Sequence, residues 1–107
     1  MAFVALEKLS QLQDGYQKAF RVGRLNLLLL QVEGRAFLIE NRCPHMDVPL
    51  EHAAQLPGSR IRCRAHGIEF DLVSGRAGGP LANQLECLRR FPLSYDGNEI
   101  GVDTDSL

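Results

Sequence analysis

The sequence predicts an antiparallel all-β domain of short strands, on three observations. Apolar residues alternate over short runs instead of recurring at every third and fourth position. Turn-forming groups punctuate those runs, as in Glu33-Gly34-Arg35 and Asp96-Gly97-Asn98. No long helical period, internal repeat or low-complexity segment is present.

The first strand is expected over Phe3 to Leu6, followed by a polar turn or a single helical turn over Ser10 to Gly15. Gln17 to Val22 reads as the second strand. Arg24 to Val32 is the strongest, with Leu25, Leu27 and Leu29 on one face and Leu28 and Leu30 on the other, a strand buried on both sides. Gly34 turns the chain into a returning strand over Ala36 to Glu40. Residues 43–59 hold Pro44, Pro49 and Pro57 with little alternation, and read as loop. Short strands are expected at Arg60 to Cys63 and Ile68 to Asp71. Ser74 to Pro80, with three glycines, reads as loop again. Leu88 to Leu93 and Glu99 to Asp103 are expected to close a final hairpin around Asp96-Gly97-Asn98.

Length and charge narrow the function. A chain of 107 residues is expected to form one domain, residues 1–107. Twelve basic and thirteen acidic residues are mixed along it for a formal charge of −1. No basic face for nucleic acid is evident. The longest apolar run, Leu27 to Leu30, is far too short to cross a bilayer. No signal-peptide pattern or anchor helix is read at the start, so the expectation is a cytoplasmic protein without a membrane partner. Nothing looks like a nucleophile elbow, a phosphate-binding loop or a paired-carboxylate site, so no catalytic residues are assigned and an enzyme in its own right is not expected.

Four residues carry the chemistry: Cys43, His45, Cys63 and His66. They form two clusters, Cys43-Pro44-His45 and Cys63-Arg64-Ala65-His66, with seventeen residues between His45 and Cys63. Each cluster offers a thiol and an imidazole where a strand gives way to a loop. Two sulfur and two nitrogen donors suit zinc or an iron–sulfur centre rather than magnesium or calcium. Zinc fingers usually place two cysteines before two histidines, whereas here the types alternate. Three cysteines make no disulfide framework.

At these residues the chain resembles the Rieske family of iron–sulfur proteins. The resemblance rests on Cys43-Pro44-His45 and Cys63-Arg64-Ala65-His66-Gly67. It extends through Phe70-Asp71 and Ser74-Gly75 to Gly79-Pro80, and covers essentially the whole chain. It implies a Rieske-like antiparallel β-sandwich or barrel with a small cluster-binding subdomain, about residues 41–82, built from two ligand loops. It also implies one [2Fe-2S] cluster, with Cys43 and Cys63 on an inner iron and His45 and His66 on an outer iron near the surface. Replacing two thiolates by neutral imidazoles removes negative charge and raises the potential above that of an all-cysteine cluster.

Within the family, high-potential members carry an additional disulfide between the loops and two hydroxyls that bond to sulfur. The matching positions here are Val48 and Ala65, and Ile68 and Phe70, so neither device is available. With fewer hydrogen bonds to sulfur, the expected potential lies at the low end of the family, about −150 to 0 mV. Soluble relatives of this kind are Rieske-type ferredoxins, which carry one electron from a flavin reductase to the terminal oxygenase of a ring-hydroxylating system. A small subunit of nitrite reductase is the alternative, and a structural zinc module the second.

The remaining candidates have plainer readings. Cys87 is expected as a small buried hydrophobe, with a redox or regulatory thiol as the alternative, and His52 as an exposed loop residue rather than one that modulates the site. Met46, Val48, Pro49 and Leu50 are read as an apolar cap on the centre or as ordinary loop packing. By the same resemblance, Gly78-Gly79-Pro80 would cover the cluster as a third loop, and otherwise it reads as a plain turn. Arg42, Arg60, Arg62 and Arg64 bracket the ligand loops, either as a basic rim that steers an acidic partner or as part of a mixed, solvated surface with Asp47, Glu51 and Glu69.

Overall fold

The computed structural model describes residues 2–43, 49–63, 67–78 and 87–107. Ten strands are described: β1 (Phe3–Lys8), β2 (Gln17–Val22), β3 (Leu25–Val32), β4 (Arg35–Glu40), β5 (Ala54–Leu56), β6 (Arg60–Arg62), β7 (Glu69–Asp71), β8 (Arg90–Phe91), β9 (Ser94–Asp96) and β10 (Glu99–Asp103). They form three antiparallel sheets, ordered β1-β10-β9, β2-β3-β4-β8 and β5-β6-β7. The expected antiparallel all-β class is what the chain adopts.

The central sheet divides two apolar cores. Leu27 to Leu30 have no exposed surface at all. Successive strand residues point to opposite faces, and the cores follow that phase. Leu28, Leu30, Val32, Phe37 and Ile39 face one side, where they meet Ile61, Phe70 and Leu72 of the β5-β6-β7 sheet region. Leu27, Leu29, Leu38 and Phe91 face the other, against Ile100 and Val102 of β10. Each fully buried leucine contributes about 1.5–3 kcal/mol through removal from water. The tetraleucine run is thus apolar throughout because both its faces are interior.

The turns tie the layers together at one end. Glu33, at φ 51° in the β3–β4 turn, accepts at Oε1 from the N–H groups of Gly58 and Ser59 at 2.6 and 2.8 Å. That carboxylate joins the central sheet to the β5–β6 turn. Within the β1-β10-β9 sheet, Gly101 lets β10 lie close against β1 by being small. A Cβ there would lie 2.0 Å from the Val4 carbonyl oxygen. The close approach sits beside an irregularity in β1, where Ala5 pairs with Gly101 and Glu7 with Ile100.

Three expectations need correction. β1 runs on to Lys8, because pairing with β10 resumes beyond the bulge. Residues 54–56, read as loop, form β5, held by register against β6 rather than by an apolar pattern. Leu88 to Leu93 is not an arm of the last hairpin. Its Arg90–Phe91 segment pairs with β4, and Ser94–Asp96 pairs with β10 instead. Pairing with β4 sets Phe91 beside Leu38, in the core that Ile100 and Val102 of β10 close from the other sheet.

Candidate metal centre

β4 delivers the first cysteine. Past Glu40, the Asn41 N–H donates to the Asn26 carbonyl at 2.8 Å, which carries the β3–β4 ladder one residue further. Cys43 follows two residues later with no exposed surface. The Asn41 side chain reaches forward: its Oδ1 accepts from the Leu50 N–H at 2.7 Å. The chain leaving the sheet at Asn41 therefore returns to it at Leu50, and Leu50 is itself fully buried.

The β6–β7 hairpin delivers the second. Ile61 pairs with Phe70 and Arg62 with Glu69. Beyond them the Cys63 N–H donates to the Ile68 carbonyl at 2.8 Å, and the Gly67 N–H donates to the Cys63 carbonyl at 2.8 Å. Gly67 adopts φ +66°, a left-handed conformation that a side chain would strain. The two bonds place the ends of the His66 loop side by side at the tip of the hairpin. Cys63 is 1% exposed.

Both thiols thus enter one apolar core, with Leu28, Leu30, Ile39, Leu50, Ile61, Phe70 and Leu72. Among the described residues no disulfide is formed by Cys43, Cys63 or Cys87. Two unbridged thiols brought into one core from different loops, each followed within three residues by an imidazole, fit a soft metal centre. His45 and His66, along with Pro44, Met46, Asp47, Val48, Arg64, Ala65, Gly79 and Pro80, lie outside the described residues.

The surroundings correct or refine several expectations. Cys87 is exposed, not buried. The inward position is taken by Leu88, 4% exposed, whose N–H donates to the Gly75 carbonyl, and alternation then turns Cys87 outward. His52 is exposed, as expected, and borders a shallow cleft with Gly15, Gln17, Glu51, Ala53 and Gln55. Leu50 belongs to the core and Pro49 to the surface. Ile68 packs against the core that holds both cysteines and Phe70 sits within it, so hydrocarbon occupies those two places. Arg60 and Arg62 both pair with Glu69, at 3.1 and 3.2 Å, and Arg42 pairs with Glu40 at 3.2 Å. The described part of the arginine rim is a mixed surface of paired charges.

The sequence reading missed a set of amides behind the first loop. Gln17, the first residue of β2, donates from Nε2 to the carbonyls of Leu50, Glu51 and Ala53 at 3.2, 2.7 and 3.1 Å. Its Oε1 accepts from Gln55 Nε2 at 3.0 Å, and Gln55 also donates to the Tyr16 carbonyl at 3.3 Å. Gln55 shares the inward phase of β5 with Ile61 and Phe70 across the sheet. That phase appears only once β5 is paired with β6, so the local sequence carried no signal for it.

Residues 2–92 match the Rieske [2Fe-2S] domain. The chain belongs to the Rieske family. This Rieske protein accordingly binds one [2Fe-2S] cluster, which sets aside the zinc alternative. It is 31% identical over 105 residues to the ferredoxin component of the alkene monooxygenase system of Xanthobacter autotrophicus, covering 98% of this chain and 84% of the relative. It is 26% identical to the ferredoxin component of the naphthalene 1,2-dioxygenase system of Pseudomonas aeruginosa, over 89% of this chain and 88% of that one. Among solved structures, the ferredoxin of carbazole 1,9a-dioxygenase from Nocardioides aromaticivorans IC177 superposes with a TM-score of 0.82, at 25% identity, over 95% of this Rieske chain and 97% of the other.

Proposed function

We propose that Cys43, His45, Cys63 and His66 hold the [2Fe-2S] cluster, and that the protein carries single electrons from a flavin reductase to a terminal oxygenase. The observation behind this is the convergence of Cys43 and Cys63, from the exit of β4 and the tip of the β6–β7 hairpin, in one core. The thiols would face the interior and the imidazoles, each two or three residues further along its loop, the solvent side. The cluster supplies a one-electron redox couple, and its mixed ligation sets the range of potential. The protein's own residues do the rest: the apolar wall of Leu28, Leu30, Ile39 and Phe70 keeps water from the thiolates, and the two loop closures fix where they stand.

Relatives of similar length are named as ferredoxin components of oxygenase systems, which supports a carrier without substrate chemistry of its own. We read the whole chain as one domain, with residues 41–82 as the cluster-binding part, because the β5-β6-β7 sheet lies wholly inside that stretch. Among the described residues no helix is long and apolar enough to cross a membrane, which agrees with a protein working in the cytoplasm.

The test is direct. Purified protein is expected to contain two irons and two acid-labile sulfides per chain, and after dithionite reduction to give a rhombic EPR signal of low average g. A catalytic amount of flavin reductase with NADH is expected to bleach it, and an added oxygenase to restore its colour. Protein lacking labile sulfide would overturn the ligand assignment. Protein with an intact cluster that no reductase–oxygenase pair turns over would overturn the carrier role.

A further inference from the structure

We infer that Asn41 and Gln17 are positioning residues for the cluster, acting together as a clamp on the downstream end of the His45 loop. The inference rests on the proposed ligand set and goes beyond it, because neither residue is a ligand.

Leu50 is gripped on both backbone groups. Its N–H donates to Asn41 Oδ1 at 2.7 Å. Its carbonyl accepts from Gln17 Nε2 at 3.2 Å and from the Ala53 N–H at 2.9 Å. Its side chain is fully buried in the core that contains Cys43 and Cys63. Asn41 is in turn fixed to β3 through the Asn26 carbonyl, and Gln17, in β2, is fixed to β3 by the ladder with Leu30. The loop that carries His45 therefore starts and ends on the same sheet, and two side-chain amides make its return end as rigid as its start.

The orientation of the Gln17 amide is determined by its partners. Nε2 faces three carbonyl oxygens and Oε1 faces the Gln55 amide. The reverse orientation would set an oxygen against three oxygens. The Asn41 oxygen is likewise set by the Leu50 N–H. Loss of the Asn41 amide leaves the N–H of the buried Leu50 unpaired, and loss of the Gln17 amide strips its donor from the carbonyls of Leu50, Glu51 and Ala53, of which the Leu50 carbonyl keeps the Ala53 N–H. The backbone at Leu50 would then be less firmly held, and we expect the effect to reach the proposed ligand His45, five residues earlier in the chain. Partners bonded directly to a metal ligand typically alter metal affinity by about 10–100-fold, and a support one step further back is expected at the lower end of that range.

The experiment uses the full chain with its cluster and measures the rate of iron transfer to a chelator under native conditions, with the EPR g-values of the reduced form. Asn41→Leu and Gln17→Met keep volume and remove the acceptor and the donor. Each is expected to release iron at least about tenfold faster than wild type and to shift the g-values. Asn41→Asp keeps an acceptor for the Leu50 N–H and is expected to restore slow release. Val102→Ala, in the other core, lowers stability without touching the clamp and is expected to leave the g-values unchanged. Release from Asn41→Leu and Gln17→Met no faster than from Val102→Ala would overturn the inference while leaving the ligand set intact. Wild-type protein without iron and sulfide would overturn both. If the variants fail to fold, hydrogen exchange on the wild type decides: the Leu50 amide is expected to be as protected as those of β3, and rapid exchange there would overturn the clamp.

Discussion

The Tyr16 hydroxyl donates to Glu7 Oε2 at 2.8 Å, joining β1 to the turn that leads into β2. The bond ties the outer sheet to the central one on the side away from the metal centre. It also couples stability to pH at both ends of the scale. The Lys8 N–H and then the Tyr16 hydroxyl hold the Glu7 carboxyl below its ordinary value of 4.5. Burial, followed by the bond to Glu7, raises Tyr16 above its ordinary value of 10.0.

The signs follow from linkage. The Glu7 contribution is present above pH 4.5 and is lost as pH falls through the lowered folded value. The Tyr16 contribution is present below pH 10.0 and is lost as pH rises toward its raised folded value. Denaturant midpoints measured across pH are expected to fall on both limbs for wild type. Tyr16→Phe should make the acid limb shallower, leaving the share that comes from the Lys8 N–H, and remove this residue's share of the alkaline one. Identical profiles would show that the bond does not form in solution.

Gly101→Ala tests the contact between β10 and β1. A Cβ placed 2.0 Å from the Val4 oxygen and 3.0 Å from the Ala5 Cα cannot be accommodated without moving β1. The expected cost is about 1–3 kcal/mol or more, read by urea unfolding. The EPR signal of folded variant protein should stay as in wild type, since the contact lies outside the core that holds the cysteines.

The midpoint potential is expected at about −150 to 0 mV, because carbon stands where hydroxyls would reach sulfur. Phe70→Tyr adds a hydroxyl inside the core of both cysteines. A new hydrogen bond of about 1 kcal/mol to sulfur corresponds to a rise of roughly 40 mV for one electron. Redox titration checks both statements. A wild-type midpoint above roughly +200 mV, in the upper part of the Rieske range, would contradict the first.

The two faces of β3 should be separable by mutation. Leu27→Ala and Leu28→Ala each remove a fully buried side chain and should each cost about 2–5 kcal/mol. Only Leu28 shares a core with Cys43 and Cys63. Iron retention measured beside stability is expected to drop for Leu28→Ala and to hold for Leu27→Ala at denaturant-free conditions.

The strongest strands were legible because their residues alternate or are apolar throughout. Gln17 to Val22 appeared with its observed bounds, and the Leu25 to Leu30 run with its two buried faces. β5 was not legible: Ala54, Gln55 and Leu56 show no pattern, and only pairing with β6 makes them a strand. The last hairpin was misplaced because Leu88, Phe91 and Leu93 look like one strand locally, while β4 claims Phe91 and β10 claims Ser94 to Asp96. Cys43 and Cys63 stood out by residue type and spacing. Asn41 and Gln17 did not, because a side-chain amide that bonds to a distant backbone carries no mark in its own neighbourhood. Cys87 was misread because its segment is positioned by the bond from the Leu88 N–H to the Gly75 carbonyl, thirteen residues earlier in the chain.

The tetraleucine stretch has one more implication. Four identical side chains in a row are blind to their own phase: sliding β3 by one residue would exchange leucine for leucine at three of the four places. What forbids the slip must lie at the ends, where Asn26 or Gln31 would be dragged into hydrocarbon and Asn26 would lose its bond with Asn41. The alignment of the whole electron-handling half is thus decided by two amides at the margins of a greasy run that could not decide it alone.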